Sequence, residues 1–422
     1  MKKQIQILKG FRDFLPGDMA FQNWFYQNLK KVSESFGFQE YEGPTIEPLE
    51  LYAAKSGEEL VKKQAFTFED KSGNVVALRP EMTPSLARIV AQNENNLNFP
   101  VKWFTYGRRF RYEAPQKGRG REFFQWDIDI LGPDSPEADA EIIAIAASFY
   151  QKLGLTPDEV KIKINDRKFL AQQVSELGIP EDKFKELLGI IDKKDKVSEG
   201  DFKEMLKEAG LAVKQIESLL VILLDKNGYQ KSDWLQSIFS YLDKAGLSPF
   251  VEYDASIVRG LEYYTRTVFE GWVVGGSFRA IWGGGRYDNL TSDVGSKVKI
   301  PGVGFAMGDM VMEEVLKFLN KYPVISPNNS DVLVTVFSPD LFNDSLTLSL
   351  RLRLSGLNTE LYPDPQAKLD KQLKYADKKQ IPYAIILGPE ELKSDTVTLK
   401  NMSTQSQKKV FTNSVAGLIK AQ

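Results

Sequence analysis

IVRGLEYYTRTVFEGW, residues 257–272, sets two arginines and a tyrosine pair into a run of β-branched and aromatic residues. Such residues suit a pleated, half-buried surface, so the stretch predicts extended chain. A guanidinium there is costly unless it meets an anion. Two readings follow: a strand carrying its own salt bridge, or the floor of a site that holds something negatively charged.

Composition narrows the chemistry such a site can perform. The 422 residues include no cysteine and no histidine. That excludes disulfides, thiolate nucleophiles, zinc–thiolate sites, histidine metal sites and histidine-based triads. Catalysis then falls to Arg, Lys, Asp, Glu, Tyr and bound metal, which suits reactions limited by charge stabilisation more than by proton shuttling. A net charge of −2 provides no bulk cationic field, so nucleic acid would need a local patch. Hydrophobic content of 42% and charged content of 27% are those of a soluble globular protein. The length predicts two or three domains. Lys9, Arg12 and Asp13 interrupt the N-terminal segment where a signal peptide would be apolar. IIAIAASFY and LLVILL are too short to span a bilayer, so a cytoplasmic protein with no membrane partner is expected.

Upstream, Phe21, Phe25, Leu29, Val32 and Phe36 fall at helical spacing over 18–36, with Gly37 as the stop. Pro44 and Pro48 confine FQEYEGPTIEP to an edge or an interface. QAFTFEDKSGNVVALRP (64–80) predicts a hairpin turning at 71–74. Residues 101–113 and 121–132 predict two strands joined by a loop containing PQKGRG, and 136–153 a helix ending at Gly154. Downstream, TVFEGWVV and FRAIW predict a hairpin about Gly275 and Gly276. Long helical inserts between strands, with few βαβ units, indicate an α+β core with a mostly antiparallel sheet. That core is expected over 1–165 and 247–322. The Lys-, Glu- and Leu-rich segment 166–246 reads as a helical insertion. After the linker PVISPNNS, residues 331–422 alternate strand and helix as a small α/β domain.

Residues 101–121 carry Lys102, Arg108, Arg109, Arg111, Lys117, Arg119 and Arg121 against the single acid Glu113, a local cationic patch. Alternation puts Arg111 and Glu113 on one face. Gly118 and Gly120 let backbone approach a ligand, and arginines around such a loop suit a polyphosphate or an RNA end. Phe123, Gln125, Asp127 and Asp129 share one side of the next strand, where Phe123 can stack on a base. Glu81 and Thr83, two apart in LRPEMTPS, can hold an ammonium group.

Together these segments resemble the histidyl-tRNA synthetases of class II. The motifs that carry the resemblance are VRGLEYYTRTVFE and GGGRYD, with GFRDFLP, EYEGPTIEPLELY, LRPEMT and FRYEAPQKGRGREFFQWD. It implies that histidine attacks the α-phosphate of ATP, with Mg²⁺ bridging the phosphates, and that the aminoacyl group then passes to tRNA. Arg259 and Arg111 are the implied catalytic residues, stabilising the α-phosphate and bridging it to the carboxylate. Glu81 and Thr83 would hold the α-amino group. Gln125, Asp129 and Tyr264 would line the amino-acid pocket, with Tyr263 supporting that wall. Phe123 would stack on adenine and Glu113 read its amino group. Arg119 and Arg121 fall to phosphate or the tRNA end, and Gln116 to the acceptor end. The resemblance also implies an anticodon-binding domain at 331–422 and a homodimer formed around Pro44.

Two positions depart from the family. In GVGFAMGDMVMEEVL (302–316) the run after Gly308 lacks the arginine of the expected Gly-Leu-Glu-Arg-like pattern. Arg286 and Arg121 are the candidates to replace it, and Asp309 reads as a structural residue of the helix. Ala114 stands where a larger, often basic residue is expected. The alternative to an active enzyme is a catalytically impaired, synthetase-like regulatory or RNA-binding paralogue.

Overall fold

The computed structural model describes residues 4–53, 63–259, 263–276 and 278–421. Gly260, Leu261 and Glu262 of the 257–272 stretch, and Ser277 of the hairpin that follows, therefore lie outside it. The chain divides into two compact units, Met1–Asp13 with Gln22–Pro323, and Phe14–Phe21 with Val324–Gln422.

The first unit is an α+β fold on an eight-stranded sheet. In chain order its strands are β1 (Gln39–Glu40), then the small side sheet β2 (Ile46–Pro48), β3 (Phe66–Glu69) and β4 (Val75–Leu78), then β5 (Val101–Phe110), β6 (Glu122–Leu131), β7 (Val160–Asp166), β8 (Val251–Tyr253), β9 (Thr267–Val273), β10 (Trp282–Tyr287) and β11 (Gly302–Gly308). The large sheet runs β1-β5-β6-β11-β10-β9-β7-β8. All pairs between β5 and β7 are antiparallel; the outermost pairs are parallel. The expected hairpin over 64–80 is present as β3 and β4. So are the two strands around the PQKGRG loop. The helix Pro136–Lys152 backs the sheet. It is capped by Ser135 and ends before Gly154, whose φ of 74° favours glycine.

One strand is misplaced by the sequence reading. The hairpin after β9 is present, but its second arm starts at the last residue of FRAIW, Trp282, and runs through WGGGRY. Its three glycines look like breakers, yet Gly283–Gly285 pair with β9 on one side and β11 on the other. The reason is steric and lies in the side chains that cross the sheet there.

Helices Arg167–Glu176, Phe184–Ile191, Glu199–Glu208, Val213–Leu224 and Asp233–Lys244 occupy the Lys- and Glu-rich segment. Asp166, Ser198 and Ser232 cap three of them through side-chain oxygens. The last of these helices is tied to the sheet by Trp234. Its indole donates to Asp139 (3.1 Å) and Thr267 (2.9 Å), and its ring faces the Arg266 guanidinium at 3.5 Å. Asp139 is fully buried; Arg286, also fully buried, reaches it at 2.6 Å and donates to the carbonyls of Pro133 and Ser135.

The second unit is a five-stranded sheet in the order β13-β12-β14-β15-β16: β12 (Val332–Val334), β13 (Thr359–Leu361), β14 (Tyr383–Ile386), β15 (Thr396–Asn401) and β16 (Gln407–Phe411). The first three are parallel and joined by helices Phe342–Leu354 and Leu369–Lys378. β15 and β16 add an antiparallel hairpin. Among the described residues no helix is long and apolar enough to cross a membrane.

Removing Arg286 leaves the buried Asp139 carboxylate without its cation. Arg286→Met is expected to lose about 3–5 kcal/mol, read as a lower urea midpoint. An unshifted midpoint would show that the pair contributes no net stability.

Candidate active site

Glycines on β10 and β11 clear one face of the sheet for polar side chains arriving from elsewhere. A Cβ at Gly283 would collide with the Arg259 guanidinium, and one at Gly304 with the Asp129 carboxylate. A Cβ at Gly285 would stand 2.8 Å from the Tyr264 ring. Register explains the grouping: Gly304 pairs with Asp129 on β6 and with Gly285 on β10. The cavity above this face has a volume of about 1410 Å³.

Eleven of the predicted site residues line that cavity: Glu81, Thr83, Arg111, Glu113, Arg119, Phe123, Gln125, Asp129, Arg259, Tyr263 and Tyr264. They come from the Thr83 helix start, the 111–120 loop, β6 and the 257–266 segment, which are distant in sequence. Two predicted residues sit elsewhere. The Arg121 guanidinium stacks on Tyr112 at 3.8 Å and donates to the Glu113 carbonyl (3.2 Å). Gln116 closes the loop turn by pairing with Arg119.

Both readings of the 257–272 stretch hold together. Arg259 makes a salt bridge, to Glu270 at 2.8 Å, and also lines the cavity. Its φ of 54° places a non-glycine residue in the left-handed region, at a cost of order 1 kcal/mol that surrounding contacts must offset. Burial opposes its charge, but Glu270 outweighs that and holds the guanidinium protonated. Glu270 is itself oriented by the Trp272 indole at 3.1 Å.

The floor is acidic. Buried Asp129 accepts a hydrogen bond from Tyr287 at 2.7 Å. Desolvation, aided by the neighbouring charge of Asp127, pushes its pKa up to about 8 against the opposing Tyr287 bond. Asp127 is held by fully buried Arg109 at 2.9 Å. Glu81 is buried and accepts from Tyr263 at 3.3 Å. The Gln125 side-chain oxygen is buried with no hydrogen-bond partner among the described residues. Tyr287 carries no role in the sequence reading, although GGGRYD contains it.

The cationic patch of 101–121 is dispersed. Lys102 pairs with Glu141, Arg108 with Glu122, Lys117 with Glu314 and Arg119 with Glu113, while Arg109 is consumed by Asp127. The strand β5 ends at Phe110, so Arg111 and Glu113 reach the cavity from irregular chain, not by alternation. Arg111 donates to the Pro80 carbonyl (2.9 Å) and lies 5.4 Å from the Phe123 ring. Neither candidate for the missing arginine serves. Arg286 is buried against Asp139, and Arg121 faces Tyr112. Asp309 is structural, as expected: fully buried, it accepts from Arg12 (2.9 Å), Gln22 (2.8 Å) and the Phe124 amide (3.0 Å).

The cavity thus joins the aromatic face of Phe123, the guanidinia of Arg111 and Arg259 and the buried carboxyl group of Asp129. It can hold a planar ring, an anion and a hydrogen-bond donor together. A family model described as histidyl-tRNA synthetase matches residues 10–310, and one described as anticodon binding domain matches 331–422. The chain is 37% identical over 410 residues to the chloroplastic/mitochondrial histidine–tRNA ligase of Arabidopsis thaliana, covering 94% of this chain and 83% of that one. It is 36% identical to the histidine–tRNA ligase of Opitutus terrae, with 98% of each covered. The histidyl-tRNA synthetase structure from Nostoc sp. PCC 7120 superposes with a TM-score of 0.86 over the whole of both chains, at 26% identity.

The raised pKa of Asp129 has a measurable consequence. Between about pH 4 and pH 8 the folded protein holds a proton that the unfolded chain has released, so this group costs stability progressively as pH rises through that window. Asp129→Asn should therefore gain in Tm relative to the parent between pH 5 and pH 8.5. A difference that stays constant would mean Asp129 is ionised throughout.

Proposed function

The chain belongs to the histidyl-tRNA synthetase family, and from that premise we propose how its side chains divide the work. The protein ligates L-histidine to tRNA in two steps, through histidyl-adenylate formed from ATP. In the first, a histidine carboxylate oxygen bonds to the α-phosphorus while the bond to the β-phosphate oxygen breaks and pyrophosphate leaves. In the second, the aminoacyl group passes to the tRNA 3′ end.

No general base is needed for the first step, since a carboxylate is already nucleophilic at neutral pH. What the step needs is alignment and charge neutralisation. Arg259 and Arg111 supply both at the α-phosphate. Glu81 and Thr83, steadied by Tyr263, hold the α-amino group. Gln125, Asp129 and Tyr264 hold the imidazole end of the pocket. Phe123 stacks on adenine, Glu113 accepts from its amino group and Arg119 sits at the phosphates. Arg121, turned onto Tyr112, and Gln116 in the loop turn remain for the tRNA acceptor end.

Magnesium arrives with ATP as part of the substrate, coordinated by phosphate oxygens. Among the described residues no group of three or more carboxylates is arranged to hold an ion. The segment around Pro44 forms a homodimer, and the protein works in the cytoplasm. The observation that carries this reading is the convergence of Arg259, Arg111, Glu81, Asp129 and Phe123 on one cavity.

Histidine-dependent ATP–pyrophosphate exchange tests it. The wild type should exchange, and Arg259→Ala should slow exchange by ~10²–10³. Exchange kinetics indifferent to that substitution would remove Arg259 from the mechanism.

A further inference from the structure

We propose that Arg279 supplies the guanidinium for the outer phosphates of ATP, entering the site from the chain between β9 and β10. This rests on the adenylate-forming reading above and deepens it.

The first support is the state of the charges on the cavity wall. Arg119, Lys196 and Arg259 each hold a carboxylate: Glu113 at 3.0 Å, Asp192 at 2.7 Å and Glu270 at 2.8 Å. Arg111 and Arg279 also line the cavity, yet each donates to a backbone carbonyl, Pro80 and Gly118 respectively. Neither has a carboxylate within salt-bridge distance among the described residues. A positive charge held in place by a neutral carbonyl keeps its attraction for an incoming anion, whereas one already paired has to exchange partners first.

Position is the second support. Arg279 is exposed and meets the glycine loop at Gly118. Asp129 and Tyr287 lie buried at the floor. The α-phosphate has to meet the histidine carboxylate beside Arg259 and Arg111. A guanidinium at the loop end is then placed for the β- and γ-phosphates, the part that departs.

Third, the place where the family pattern puts an arginine is occupied from another direction. Counted from Gly308, that place falls to Val311. A Cβ built on Gly118 would touch the Val311 side chain at 3.4 Å and the Arg279 guanidinium at 4.0 Å. The two residues therefore flank the same glycine, one from the helix Asp309–Phe318 and one from the β9–β10 connection. Asp309, buried and bound to Arg12 and Gln22, keeps the helix end in place without contributing a cation.

Arg279 touches pyrophosphate in this scheme and stabilises the negative charge that collects on it as the bond to the α-phosphate breaks. It takes no part in the imidazole pocket. Arg279→Ala should raise the Kd and KM for ATP by about tenfold or more, the usual loss for a charged hydrogen bond. The KM for histidine, and the Kd of a non-hydrolysable histidyl-adenylate analogue that lacks the outer phosphates, should stay within about twofold of wild type. An ATP affinity unchanged in Arg279→Ala would overturn the proposal. So would an equal loss for the analogue, since that would mark Arg279 as a strut for the loop. A wild type that binds ATP in an Arg279-dependent way but shows no histidine-dependent exchange would sink the adenylate reading and leave Arg279 as a nucleotide contact.

Discussion

The site depends on what is missing from one face of a sheet. At Gly283, Gly285 and Gly304 there is no β-carbon, and into the space so left lie a guanidinium, a tyrosine ring and a carboxyl group. A strand interior normally loses stability with glycine. Here the sheet tolerates three because side chains from the 257–266 segment and from β6 fill the vacated layer. The strands on either side of β10 keep their pairing across Gly283–Gly285, so rigidity comes from backbone pairing while the chemistry comes from side chains laid across it. That division gives preorganisation: the charged groups are fixed before any ligand arrives.

A chain of nearly neutral charge can still bind a polyanion if its cations are unequally engaged. Most of the arginines and lysines in 101–121 are spoken for by acids from other elements. Arg109 is the extreme case, fully buried against Asp127 inside the sheet. Arg111 from that patch and Arg279 from the β9–β10 connection line the cavity with no carboxylate partner among the described residues. This arrangement limits non-specific attraction to nucleic acid, which scales with exposed charge, and concentrates the attraction where phosphate must be handled.

Much of the architecture was legible because it rests on local signals. The hairpin over 64–80, the paired strands around PQKGRG and the helix stopping at Gly154 each follow from hydrophobic period and turn residues. The strand WGGGRY could not be read that way, since its glycines are explained only by Arg259 and Tyr264 approaching from outside the strand. The cationic cluster misled for a related reason. A count along the chain cannot see Glu141, Asp127 or Glu314 coming alongside in space. Arg286, a candidate to replace the missing arginine, proved to be a core residue for the same reason, its partner Asp139 lying on a distant helix. Eleven of the thirteen site residues assigned from the sequence line the cavity, whereas Arg279, a single arginine in a stretch taken for a strand, carried no signal of its own.

The absence of histidine and the acidity of the pocket floor belong to one argument. Adenylate formation moves no proton, so nothing in the first step calls for a residue titrating near neutrality. The pocket needs instead a group that distinguishes an imidazole from other rings. Asp129 is buried and, among the described residues, accepts a side-chain hydrogen bond from the Tyr287 hydroxyl alone, against a large desolvation cost. On the proposed reading a ring N–H gives the carboxyl group a second partner, which a ring of the same shape without nitrogen does not. Sites built this way reject the poorer ligand by about 10⁴–10⁵. Desolvation therefore does two things at once in this fold: it makes the empty pocket costly to keep at high pH, and it makes the right occupant worth more than any other.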